Sequence, residues 1–109
     1  MASLDSIFRA LARKRRRDAL DCLQRHHTVS LADLAEFVAA REQPAAIDRP
    51  QPQPVLDIYC SLYHEDIPIL ERAELAQYTQ EADMVRLADE ATQRLERTRG
   101  ALDEIISNG

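Results

Sequence analysis

At 109 residues the chain is long enough for one small domain, whose modest burial on folding leaves room for a partner or a second copy to add to it. Its composition, 45% hydrophobic and 30% charged with only 5% aromatic, excludes a disordered segment and fits a helix-rich globular chain. No apolar run approaches the roughly 20 residues that a spanning helix needs, and the opening MASLDSIFRALA lacks a basic leader followed by an apolar core. Neither a membrane span nor a signal peptide is therefore expected, and the expected compartment is the cytoplasm.

The net charge of −5 conceals an asymmetry. Residues 1–27 carry seven cations against three acids, a local net of +4, whereas residues 43–109 carry six arginines against thirteen acids, a local net of −7. An acidic total opposes nonspecific nucleic-acid binding, although a local basic patch can still meet phosphate. Lys14 is the only lysine beside thirteen arginines, a bias that fits a high-GC genome and a salty cytoplasm.

The first predicted helix is capped by Ser3 and carries Leu4, Ile7, Phe8 and Leu11 at i, i+3, i+4 and i+7. A second runs from Lys14 to His26 with Ala19, Leu20 and Leu23 inward. Its first turn holds RKRRR, Arg13 to Arg17, and cations there oppose the helix macrodipole. The cluster points to an anionic offset, either a phosphate or the acidic half of the same chain, although a charge run is commonly just a solvated face. Thr28-Val29-Ser30 reads as a short strand, after which Ser30 caps LADLAEFVAARE with Leu31, Leu34, Ala35 and Val38 inward.

Residues 43–54 hold four of the five prolines and read as an irregular loop, with Pro54 at the first position of the following helix. That helix, VLDIYCSLYHEDIPILERA, contains Pro68, which predicts a kink or break near residues 65–67 and a restart as PILERA. Beyond Leu75 the pattern alternates around QEAD and predicts a hairpin, without the glycine such turns usually use. The last helix, residues 89–106, spaces Ala91, Leu95, Thr98, Leu102 and Ile105 by 4, 3, 4 and 3, the seam of a coiled coil. These five residues are the expected dimer interface. Gly100 in that helix costs roughly 1 kcal/mol relative to alanine.

Three stretches carry a resemblance. LARKRRRDALDCL resembles the L-x-x-x-R-R-R-x-x-L opening of arsenical-repressor-like (ArsR-type) winged helices, and VSLADLAEFVAARE resembles their next helix. SLYHEDIPILERAEL is similar to the H-x-H-L-P-K-L-x-x-A-G segment of a haloarchaeal branch of that family. The resemblance spans residues 4–87. It implies a mainly α fold with a small β-hairpin wing, a winged helix-turn-helix over residues 1–88, followed by a C-terminal dimerisation helix over residues 89–109. It also implies a dimeric DNA-binding transcriptional regulator, whose fourth helix enters the major groove while the wing touches backbone or minor groove. Arg13, Lys14, Arg15, Arg16, Arg17, Tyr59, Tyr63, His64 and the wing's Arg86 are then the expected DNA contacts, with double-stranded DNA and a second copy, or a related winged-helix protein, as partners.

The chain departs from that pattern at the groove-facing element. Val55, Leu56 and Asp57 stand where basic residues lead into the helix, Asp66 replaces a histidine, Ile69 a lysine, and Glu74 the glycine before the wing. Acids there remove attraction to phosphate and add repulsion. The alternative expectation is an adaptor or heterodimerising modulator of a related regulator that has lost most DNA contacts.

Enzymatic chemistry and a bound cofactor are not expected: the histidines lack a triad-like setting, and two glycines, Gly100 and Gly109, cannot build a phosphate loop. Cys22 with His26 and Cys60 with His64 share i, i+4 faces and leave a metal-sensing repressor as a lesser alternative. The expectation is instead that both cysteines are buried reduced thiols and that no metal is held.

Overall fold

A computed structural model describes residues 2–42 and 52–108. The chain forms helices α1 (Leu4–Leu11), α2 (Lys14–His26), α3 (Leu31–Glu42), α4 (Pro52–Ser61), α5 (Ile67–Arg72) and α6 (Ala91–Asn108). Three strands, β1 (Thr28–Ser30), β2 (Ala76–Thr79) and β3 (Met84–Leu87), lie among them, and a π-helical turn (Leu62–Asp66) joins α4 to α5. The strands make one antiparallel sheet in the order β1-β3-β2, with Val29 opposite Val85 and Tyr78 opposite Val85. A mainly helical body carrying a three-stranded sheet is compatible with a winged-helix-like fold. Among the described residues no helix is long and apolar enough to cross a membrane.

The helix starts follow local chemistry. Ser3 Oγ accepts the Ser6 N–H at 3.1 Å and Ser30 Oγ accepts the Asp33 N–H at 3.0 Å, each relieving a donor that the first turn of a helix leaves unbonded. The inward residues of α2 and α3, among them Leu20, Leu23, Leu31, Leu34 and Val38, join Leu62, Ile67, Leu70, Leu75 and Val85 in one core. Helix α4 starts at Pro52, so Pro54 lies within its first turn rather than at its first position; the expected loop over residues 43–51 lies outside the described residues.

Pro68 has the position the sequence gives it but a milder effect than a break. The helix widens instead: Ile67 N–H bonds Leu62 O five residues back, and Pro68 falls in the first turn of α5, where its missing donor costs little. The extra residue in the widened turn carries Asp66 inward to full burial. There Asp66 Oδ1 accepts Arg16 Nη1 at 3.2 Å and Oδ2 accepts the Ser61 hydroxyl at 2.9 Å. Arg16, 4% exposed, also donates Nε to Ala10 O at 2.9 Å and Nη2 to Arg9 O at 2.8 Å, so it closes the C-terminal end of α1 as well.

Sharp corners are made without glycine. His27, Glu74, Asp83 and Glu90 all take left-handed backbone, with φ of 65, 58, 52 and 64°. Glu74 stands where the resemblance places glycine. Its carboxylate accepts Ala2 N–H at 2.9 Å and meets Arg94 at 3.4 Å, contacts a glycine would lack. The Ala2 N–H bond, helped by the nearby positive groups, outweighs burial and holds the Glu74 carboxyl below its ordinary value.

The Arg16–Asp66 pair gives a direct stability expectation. Removing one partner of a buried, hydrogen-bonded pair leaves the other charge unpaired, so Arg16→Met should cost about 3 kcal/mol in urea unfolding. Arg16→Met combined with Asp66→Leu should recover part of that loss; a single variant within experimental error of wild type would refute the clamp.

Candidate interaction surface around the fourth helix

The RKRRR segment is neutralised from within. Arg13 pairs with Glu65 at 3.2 Å, Lys14 with Asp18 at 3.0 Å, Arg15 with both Glu42 oxygens at 2.7 and 3.0 Å, and Arg16 with Asp66. Arg17, itself exposed, donates to Leu11 O at 2.8 Å. The bond to Glu42, working against partial burial, raises the Arg15 guanidinium above its ordinary value. Of the two offsets open to the sequence, phosphate or the chain's own acids, the folded chain supplies the second. Glu65 and Asp66, which looked like a liability on a groove-reading helix, are the partners of Arg13 and Arg16.

Arg16 must therefore be corrected as an expected DNA contact: it is buried, and its Nε, Nη1 and Nη2 are all engaged by α1 and the π turn. Arg86 lies exposed on β3 and bonds Gln77 and Asp89. Tyr59 is half-buried, its hydroxyl donating to Asp83 Oδ2 at 2.9 Å, while the Tyr78 hydroxyl donates to Asp83 Oδ1. Asp83 thus pins the tip of the β2–β3 hairpin to α4, and its bond pushes the Tyr78 phenol up to about 12 and the Tyr59 phenol up as well. Tyr63 remains partly open, edge-on to His64 with ring centroids 4.9 Å apart and to Tyr78 at 5.8 Å.

The outward stripe of α4 and the π turn is Leu56, Cys60 and Tyr63, at i, i+4 and i+7, with His64 beside it. Leu56 is 54% exposed. Cys60 is exposed too, which corrects the expectation that both thiols are buried; only Cys22 is, and burial raises its thiol above the ordinary value. Among the described residues no three His, Cys, Asp or Glu side chains gather at a spacing that holds a metal ion, so the two Cys–His pairs do not converge.

The expected α6 seam divides in two. Ala91 and Thr98 are buried within the chain itself and Leu95 packs against the core, with Thr98 Oγ1 donating to Arg94 O at 2.9 Å. Leu102 and Ile105 are bare. The first part of the proposed dimer interface is thus occupied by its own domain, because α1 lies against α6.

Sequence reasoning missed Asp66 and Asp83. Asp66 reads from the sequence as an acid on the groove-facing element, because a kink or break near residues 65–67 does not announce the widened turn over residues 62–66 that carries it inward. Asp83 did carry a signal, since aspartate tolerates left-handed turns and Tyr78 stands five residues before it on the strand that enters the turn.

Residues 8–86 match the family described as Domain of unknown function (DUF7344), and the chain belongs to that family. No curated protein and no solved structure matches it.

The Asp83 anchor predicts the alkaline behaviour. The Tyr78 phenol is raised in the folded state above its ordinary value near 10, so the stability it contributes is complete below about pH 10 and is lost as pH climbs through about 12. Following phenolate absorbance, wild type should ionise part of its tyrosine late. Asp83→Asn should bring that fraction down toward pH 10; an unchanged titration would show that the anchor is not formed.

Proposed function

We propose that this DUF7344 member is a winged-helix regulatory adaptor that acts through protein contacts on its fourth helix, as a heterodimerising modulator of a DNA-binding regulator. The observation that carries this reading is the internal pairing of RKRRR with Glu65, Asp66, Glu42 and Asp18. A DNA-reading surface needs cations free to replace counterions at phosphate. Here four of the five are held by carboxylates, and the outward stripe offers Leu56, Cys60 and Tyr63 instead. An apolar stripe with a partly open tyrosine is the composition of a protein-contact core rather than of a phosphate-contacting face. A net charge of −5 steers the chain toward a basic partner, the charge expected of a protein that does bind DNA.

One observation favours the DNA-binding reading: a hairpin follows the fourth helix in the order β1-β3-β2, with Arg86 exposed upon it, as the wing of a groove-binding protein would be. The two readings separate in a salt titration against random duplex DNA. The adaptor reading expects no measurable binding at low salt; binding whose logarithm falls steeply with log salt, and which Arg17→Ala with Arg86→Ala flattens, would overturn it. A photo-crosslinking residue at position 56 or 63 should, in cells, join the chain to a DNA-binding regulator. Labelling confined to unrelated abundant proteins would count against the adaptor.

A further inference from the structure

The sheet ends on one side at β2, and the ladder says which backbone groups that edge leaves outside. Leu87 N–H bonds His27 O toward β1 at 2.8 Å, whereas Ala88 N–H bonds Leu75 O toward β2 at 3.0 Å. Alternation along β3 then turns Arg86 and Met84 toward β2, and the register makes Gln77 and Thr79 their bonded partners. The backbone of Ala76 and Tyr78 therefore faces away from the sheet. Ala76 is closed off at 2% exposure, but Tyr78 is half-buried and Thr79, Gln80 and Glu81 beyond it are exposed.

The outward Tyr78 N–H is met by a side chain rather than by a strand. Glu71 Oε2, near the end of α5, accepts it at 3.2 Å in an exposed bond. Glu71 makes no ion pair among the described residues. A carboxylate holding one amide keeps its charge and most of its capacity to accept, so it caps the edge in a way that another donor can displace.

The charges around this cap are mostly acidic. Glu71 shares a hollow at the base of the hairpin with Glu74, Asp89 and Glu90. Arg94 also lines it and is held by Glu74 and Glu90 at 3.4 and 3.8 Å, while Arg86 on β3 is held by Gln77 and Asp89. Arg72 follows Glu71 about 100° further round the helix, and Glu81 adds an exposed acid at the hairpin tip. Five carboxylates against three guanidiniums leave this side of the sheet acidic.

We infer that the free edge of β2 takes an extended basic segment of a partner protein as a fourth strand, in place of the Glu71 cap. The segment's carbonyl accepts the Tyr78 N–H and its own N–H meets the Tyr78 carbonyl, the reciprocal pair of an antiparallel ladder. A lysine or arginine of the same segment pairs with the Glu71 carboxylate so released, which exchanges a neutral donor for a charged one. An acidic strand would instead set its charges against Glu71 and the hollow, and a second copy of this edge would do the same. The surface is built from β2 and α5 and not from the α4 stripe, so its test is separate from that of the adaptor reading.

The probe is a synthetic peptide of alternating lysine and valine, titrated into the full chain with amide hydrogen exchange and nitrogen-15 NMR as readouts. Saturation should slow exchange of the Tyr78 amide about tenfold while the Arg86 amide, already inside the ladder, stays unchanged. The same peptide N-methylated along its pairing edge keeps its charge and should give no such protection, and a glutamate–valine peptide should not bind. Glu71→Lys, shown by circular dichroism to remain folded, should weaken the lysine–valine peptide about tenfold and favour the glutamate–valine one. No binding, equal binding of the N-methylated peptide, an unprotected Tyr78 amide, or an affinity indifferent to Glu71→Lys would each overturn the inference.

Discussion

The contact on which most of the molecule depends is the buried pair of Arg16 and Asp66. Arg16 reaches from α2 to two carbonyls in the last turn of α1 and to a carboxylate in the π turn, so a single guanidinium fixes three elements. An arginine suits this task because its planar fork presents several donors at once without giving up its charge. Each unit of the arrangement requires the others. Without the widened turn Asp66 would point elsewhere, and without Asp66 the guanidinium would be a buried charge facing only carbonyl dipoles.

That contact also explains why the acidic and basic parts of the chain are complementary rather than merely different. The segment from Arg13 to Arg17 draws its partners from α2 itself, from the end of α3 and from the π turn. A second network repeats the pattern between α2 and α3: Arg41 bonds Asp21 at 2.6 Å while its guanidinium sits 4.7 Å from the Phe37 ring centroid. Burial would raise the Asp21 carboxyl, but the bonds from Arg41 and Arg25 outweigh it and hold it below the ordinary value. Surface pairs of this kind contribute little singly. Their effect here is to fix how α2 sits against α3 and to leave few cations open on that side of the molecule.

Local features were legible in the sequence and distant ones were not. The caps at Ser3 and Ser30, the inward faces of α2 and α3, the hairpin around residues 80–83 and the site of disturbance before Pro68 all follow from spacing within a few residues. The Arg16–Asp66 pair joins residues 50 apart, and no periodicity announces it. A π turn hides itself further, since one added residue rotates every later side chain on the helix and turns an apparent surface acid into a core one. The positive φ at His27, Glu74 and Glu90 had no glycine to mark it. Spacing alone also cannot tell a stripe that meets its own domain, as Ala91, Leu95 and Thr98 do, from one that meets another chain.

The joint between the hairpin and α6 has a mechanical meaning. Leu87 N–H bonds His27 O at 2.8 Å, Ala88 N–H bonds Leu75 O at 3.0 Å and Ala91 N–H bonds Ala88 O at 3.1 Å, with Glu90 held left-handed between them. Such a connection works as a bracket rather than a tether: it has no slack with which α6 could swing independently of the sheet. Any body gripping α6 thereby sets the heading of the hairpin, as a hand on a crank handle sets the angle of its shaft.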